Sequence, residues 1–289
     1  MNRIDLQDQP LNLELTFTCG QAFRWRKLPD GLWRGVVCDK LVELTVQDGY
    51  LLWRTFPEAD SGLVENYLRL SDDVNAIYGE LSSRDSHLAS LIERFHGLRL
   101  LRQDPTETLL SFVCSAANSI PRIVSAIEKL AAHYGDLVCE HDSEYYYTFP
   151  PIRRLAEADP DSLSRKTSLG FRGSTLKAVA QQVLERENDW LLSLRDASYT
   201  EARSQLTALR GVGSKIADCV CLFSLDKNEA VPVDTHVRKA VQRLGMLDLL
   251  GRSVTETVYR RIAEVFAERY GVLAGWAQQF LYYEDLIMS

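Results

Sequence analysis

Between Glu201 and Phe223 two helical apolar patterns meet at Gly211-Val212-Gly213, and this juncture constrains the chain more than any other stretch. Upstream, Ala202, Leu206 and Leu209 recur at i, i+4 and i+7; downstream, Ile216, Val220 and Phe223 are similarly spaced. The spacing predicts a helix, a glycine hairpin and a second helix over about 201–226. Two glycines flanking one apolar residue let the backbone turn tightly and approach another surface closely. The free N–H groups that open the second helix then point outward, where phosphate oxygens can accept them. An ordinary helical corner with a glycine cap uses the same residues, so the hairpin alone leaves both readings open. A P-loop is excluded, because Ser214 separates the second glycine from Lys215 and the first glycine is too close.

Lys215 falls in the first turn of that second helix, where the positive end of the macrodipole disfavours a protonated amine. That position suits a nucleophile, although a solvated surface lysine is the ordinary alternative. Asp218 and Cys219 follow at i+3 and i+4, on the same face, so either could orient the amine. Downstream, Val231-Pro232-Val233-Asp234 leads into another helical run, where Asp234 can cap the helix and stay ionised.

Around this segment the chain divides by pattern. Phe23 and Trp25 alternate with polar neighbours, Pro29-Asp30-Gly31 and Asp48-Gly49 are turns, and Leu41–Val46 and Tyr50–Phe56 read as strands. From Asp104-Pro105, an N-cap followed by proline, the pattern turns helical; Pro121 opens one further helix and Gly271 stops another. These signals predict an α+β protein: an antiparallel β-sheet domain with flanking helices over 1–103, packed on a mostly α-helical domain over 104–289.

Composition narrows the partners. A formal net charge of -7 gives no general attraction for nucleic acid, so any DNA contact must rest on a local patch and on backbone amides. Six scattered cysteines without framework or cluster spacing predict reduced thiols and no iron–sulfur cluster or catalytic metal. No apolar run marks a leader or membrane span near the N-terminus, so the chain is expected inside the cell and not at a membrane: cytoplasmic or nucleoid-associated in a bacterium, nuclear in a eukaryote.

The stretch LRGVGSKIADCVCLFSLDKNEAVPVDTHVRK, Leu209 to Lys239, resembles the helix-hairpin-helix and Gly/Pro/Asp signature of base-excision DNA glycosylases, and the 8-oxoguanine DNA glycosylase/AP lyase family in particular. CGQAFRWR from Cys19, FVCSAANSIPRI from Phe112, LGFRG from Leu169 and GWAQQFLYYEDL from Gly275 extend the resemblance across most of the chain. It implies a TBP-like sheet domain and a bifunctional enzyme that acts on double-stranded DNA containing oxidised guanine. Such an enzyme needs no catalytic cofactor and is expected to work as a monomer.

By the same resemblance, Lys215 attacks the sugar C1′ as the base leaves, giving a Schiff base, and Asp234 steadies the developing positive charge. Cys219 and Tyr282 sandwich the extruded purine, with Tyr282 standing where the family commonly has phenylalanine. Gln278 reads the pairing edge, the carbonyl of Gly20 accepts the N7 proton peculiar to 8-oxoguanine, and the carbonyl of Pro232 is a further edge contact. Arg122 and Arg172 match readers of the estranged cytosine, and Phe171 matches a tyrosine wedge. Ala117 stands where the family has an asparagine that holds that cytosine, with Asn118 beside it, which weakens the expected preference for cytosine. His236 matches a phosphate contact that Asp285 orients, Gly211 and Gly213 form the phosphate-binding hairpin, and the carbonyls of Thr207, Leu209 and Val212 match a structural cation site, monovalent or divalent. A non-catalytic helix-hairpin-helix DNA-binding protein would share the hairpin without the lysine–aspartate pair. A glycosylase for another damaged base would share the fold with a different slot.

Overall fold

The computed structural model describes residues 1–248 and 253–288. In chain order the elements are β1 (Asn2–Asp5), α1 (Leu13–Thr18), β2 (Trp25–Lys27), β3 (Trp33–Val37), β4 (Lys40–Gln47), β5 (Tyr50–Phe56), α2 (Ser61–Tyr67), α3 (Val74–Arg84), α4 (Ser86–Arg94), α5 (Pro105–Cys114) and α6 (Ile120–Tyr134). A hairpin of β6 (Leu137–His141) and β7 (Glu144–Tyr147) follows. Then come α7 (Ile152–Glu157), α8 (Pro160–Thr167), α9 (Arg172–Leu184), α10 (Trp190–Ser193), α11 (Tyr199–Thr207), α12 (Ser214–Ser224), α13 (Thr235–Arg243), α14 (Glu256–Tyr270) and α15 (Ala274–Met288).

The first five strands form one antiparallel sheet in the order β1-β5-β4-β3-β2. Asp48 and Gly49 both have positive φ, 51° and 79°, the geometry of a tight hairpin whose twist matches its strands, and Gln47 pairs with Tyr50 across it. Alternation along β5 buries Leu51, Trp53 and Thr55, and the first two meet Phe17, Trp33 and Leu44 in a core of their own. Phe17 stacks on Trp25 with ring centroids 4.1 Å apart, fastening α1 to the sheet edge.

A larger core holds the helices. α5 is capped by Asp104, whose side chain accepts the Glu107 N–H at 2.7 Å, and Thr108 to Cys114 are all buried. α3 and α4 precede residue 103 in sequence, yet Val74, Tyr78, Leu81, Leu88 and Leu91 belong to this helical core, where Tyr78 meets Phe280 of α15 edge to face. The N-terminal region is thus divided between two cores.

The hairpin of β6 and β7 interrupts the helical pattern. Asp142 and Ser143 both have positive φ, 50° and 63°, at its turn. It lies against the first sheet: Arg34 pairs with Asp142 and reaches the Tyr146 hydroxyl at 3.1 Å, Arg26 pairs with Glu144, and Phe56 meets the His141 ring at 4.3 Å. The aromatic run Tyr145-Tyr146-Tyr147 is its sequence signal.

Candidate active site

α11 and α12 enclose the glycine turn, and the two glycines do different work. Gly211 has φ +102°, and a Cβ there would lie 2.9 Å from Thr175 Cγ2, so the turn itself requires glycine. Gly213 has φ -91° and nothing within 4 Å of an added Cβ, so nothing within the fold requires glycine there. Gln182 of α9 clamps the turn from behind, accepting the Arg210 N–H at 2.8 Å and donating to the Arg210 carbonyl at 3.1 Å. No side chain caps α12, which leaves its first N–H groups open to an external acceptor.

α12 delivers Lys215 and Cys219 to one wall of a cavity of about 830 Å³. Asp234 enters from the loop before α13, where one carboxylate oxygen caps the helix by accepting the N–H groups of His236 and Val237 at 2.9 and 3.0 Å. The other oxygen is left for the cavity, which Asp234 also lines. Gly20, Pro232, Gln278, Tyr282, His236, Gly213, Ala117 and Asn118 line the same space. Arg122, Phe171, Arg172 and Gly211 lie outside it, on surface turns and helix starts.

The interior of this cavity is selective in its polarity. Gln278 is 2% exposed, and its Oε1 has no hydrogen-bond partner among the described residues. A buried acceptor left unmade costs roughly 1–3 kcal/mol, so this atom is an open acceptor for any donor that enters the cavity. Gly20 has φ +77° and presses against the Tyr282 ring. Burial pushes the Cys219 thiol up to about 12, with Lys215 opposing the shift, so the sulfur stays a neutral apolar surface. Burial, followed by the charge of Asp234, likewise raises the Tyr282 hydroxyl and keeps it protonated. His236 donates through Nδ1 to the Asp285 carboxylate at 3.0 Å, which also accepts from Arg243 at 2.8 Å, so the imidazole is held in place beside the cavity.

Asp218 departs from expectation. It is fully buried and makes its hydrogen bonds elsewhere, accepting from the Tyr199 hydroxyl at 2.8 Å, from Arg203 at 3.1 Å and from the Tyr259 hydroxyl. An ionisable group in the interior needs such partners, and here they take up the carboxylate, so it does not orient the amine. Tyr259, unmarked by any motif, also lies 3.1 Å from the Val231 carbonyl and joins the cavity wall. Gln279, inside the GWAQQFLYYEDL stretch but given no role by it, donates to the Cys19 carbonyl at 2.7 Å beside Gly20.

A glycine hairpin opening a helix that bears a lysine, with a helix-capping aspartate lining the same cavity, is the arrangement of a base-excision protein of the helix-hairpin-helix class. Residues 3–109 match the 8-oxoguanine DNA glycosylase N-terminal domain, residues 110–268 match the HhH-GPD superfamily of base excision DNA repair proteins, and the chain belongs to that superfamily. It is 34% identical to the N-glycosylase/DNA lyase OGG1 of Arabidopsis thaliana, over 98% of this chain and 80% of that protein. A probable N-glycosylase/DNA lyase of Methanothermobacter thermautotrophicus is 27% identical over 94% of this chain and 92% of its own. Among solved structures, the 8-oxoguanine glycosylase/lyase of Clostridium acetobutylicum, in complex with double-stranded DNA containing cytosine opposite 8-oxoguanine, superposes with a TM-score of 0.85. It is 32% identical, over 96% of this chain and 92% of that one.

Proposed function

We propose that this protein is a bifunctional DNA glycosylase and AP lyase that extrudes 8-oxoguanine from duplex DNA and excises it through Lys215. The observation that carries the reading is the buried, unpartnered Oε1 of Gln278 in a cavity walled by Cys219 and Tyr282. Guanine-type bases present N1–H and N2–H donors on the pairing edge, and an orphan acceptor between two stacking surfaces suits them. The Gly20 carbonyl, next to the Tyr282 ring, is the acceptor for the N7 proton that distinguishes the oxidised base, and the Pro232 carbonyl is a second edge contact.

In this reading the amine nitrogen of Lys215 forms a bond to C1′ as the glycosidic bond breaks and the base departs with its electron pair. Asp234 stabilises the cationic sugar through the oxygen that its capping role leaves open. Loss of a proton from the new nitrogen and opening of the ring give the Schiff base; removal of the C2′ proton then expels the 3′ phosphate. Amine and carboxylate suffice, and no cofactor enters. The hairpin N–H groups at Gly211 and Gly213, with His236, hold phosphates. The carbonyls of Thr207, Leu209 and Val212 form a structural cation site, in which Leu209 also accepts the Val212 N–H at 3.0 Å. The protein acts as a monomer, and among the described residues no helix is long and apolar enough to cross a membrane.

Borohydride trapping with an 8-oxoguanine duplex tests the proposal. A covalent adduct is expected with the native chain and none with Lys215→Gln, while that variant still binds the damaged duplex; an adduct in the variant would move the nucleophile elsewhere.

A further inference from the structure

The carbonyls of Cys19, Gly20 and Gln21 follow one another along the chain, and the fold treats them differently. The Cys19 carbonyl accepts from Nε2 of Gln279 at 2.7 Å, and the Gln21 carbonyl accepts from Nε2 of Gln103 at 2.7 Å. The Gly20 carbonyl between them has no donor among the described residues. Gly20 is also the member of the three whose φ is positive, +77°, and it lines the cavity.

The groups that pin this strap are themselves held. Gln21 is fully buried; its Nε2 donates to the Thr16 carbonyl at 2.9 Å and to the Arg99 carbonyl at 2.7 Å, and its Oε1 accepts the Leu101 N–H at 3.0 Å. Gln103, which does not line the cavity, donates its own N–H to the Phe223 carbonyl of α12 at 2.9 Å. Gln279 is 1% exposed on α15, and it lines the cavity beside Gln278. These neighbouring glutamines divide the work: Gln278 keeps an open acceptor, and Gln279 commits its donor to the backbone of residue 19. Buried amide hydrogen bonds are costly to break, so the peptide before Gly20 is fixed on one side and Gln21 on the other. Glycine has the freest backbone of any residue, and here that freedom is taken away from outside.

We infer that Gln279 is a positioning residue for the discrimination of 8-oxoguanine from guanine, acting through the Cys19-Gly20 peptide, with Gln103 bracing the far side. The inference rests on the reading that the Gly20 carbonyl accepts the N7 proton of the oxidised base. Guanine carries an acceptor at N7 in place of that proton. A carbonyl held still sets acceptor against acceptor and rejects guanine, whereas one able to swing aside relieves the clash and admits it. Loosening the strap therefore weakens the hold on the oxidised base and tolerates the ordinary one, and the two changes compound in the ratio between them.

Affinities for duplexes carrying 8-oxoguanine or guanine opposite cytosine, measured in a Lys215→Gln background, read this ratio. Gln279→Leu removes the donor at similar size and is expected to lower the preference for 8-oxoguanine about fivefold or more, the scale of one buried hydrogen bond. Gln103→Leu, outside the cavity, is expected to lower it in the same direction, which separates loss of the brace from a reshaped cavity wall. With Lys215 intact, Gln279→Leu is expected to slow the trapping of a preformed abasic site by a much smaller factor than excision, because no base then enters the slot. An unchanged preference in either variant, or equal slowing of trapping and excision, would overturn the assignment. A Lys215→Gln parent that binds both duplexes alike would instead defeat the reading of Gly20 as the N7 acceptor.

Discussion

A Cβ placed on Gly20 would lie 2.8 Å from the hydroxyl oxygen of Tyr282 and 3.1 Å from its Cε1, so the backbone at residue 20 and the ring at residue 282 are in direct contact. One side of the cavity is therefore set by two residues 262 positions apart in sequence. Gly20→Ala would strain a residue at φ +77° by roughly 1–3 kcal/mol and push the ring into the slot. The expected outcome is a fall in melting temperature of a few degrees with excision reduced more than tenfold. Native excision kinetics in this variant would show that the ring has room to retreat.

The two hairpin glycines are expected to separate stability from binding. Gly211→Ala forces a Cβ to within 2.9 Å of Thr175 at φ +102° and is expected to destabilise the fold by about 1–3 kcal/mol. Gly213→Ala meets nothing, so stability should stay within about 0.5 kcal/mol while affinity for duplex DNA falls. Denaturant melts beside binding titrations at fixed salt check both; equal loss of stability in the two variants would remove the reason given for Gly213.

Much of this was legible because local signals agreed. The Asp48-Gly49 turn, the Asp104-Pro105 cap and the paired helical spacings around Gly211-Val212-Gly213 each name their structure without help from distant residues. β1 was not legible, since Asn2–Asp5 is short and gains strand geometry only by pairing with β5. The hairpin of β6 and β7 was masked by its setting within a helical stretch, although Tyr145 to Tyr147 carried strand-forming aromatics. Asp218 shows a different limit. Helical spacing puts it on the face of Lys215, but i+3 and i+4 positions diverge by enough to send one carboxylate inward to Tyr199, Arg203 and Tyr259, partners that no local pattern reveals. The clamp of Gln182 on Arg210 is equally long-range.

Removing the Asp218 carboxylate should cost more than removing any one of its partners. Asp218→Ala takes the shared acceptor from Tyr199, Arg203 and Tyr259, of which Tyr259 keeps the Val231 carbonyl, and is expected to destabilise by about 3 kcal/mol. Tyr259→Phe removes one hydroxyl from the same cluster, with an expected loss of about 1–2 kcal/mol. Chemical denaturation of the two variants checks the order, and a reversed order would mean that the cluster is not centred on Asp218.

Cys219 provides a test in pH. Burial raises its thiol to about 12, and Cys19 to about 11, against an ordinary value of 9.0. A raised value means that folding favours the protonated form, so this stabilisation is complete below pH 9 and drains away as pH climbs toward 11 and 12. Between pH 7 and 8.5 the thiolate is scarce, on the order of one part in a thousand or less, and thiolate is the form that alkylating reagents attack. Treatment of the folded protein with iodoacetamide at pH 8 is therefore expected to leave Cys219 unmodified and excision intact, whereas the same treatment in denaturant labels it. Cys219→Ser keeps the size but brings a hydroxyl to the surface proposed to stack on the base, and excision is expected to fall with little change in the covalent trapping of a preformed abasic site. Rapid labelling of native Cys219 would mean an accessible, ionised sulfur, and a slot walled by such a group would repel the electron-rich face of a purine.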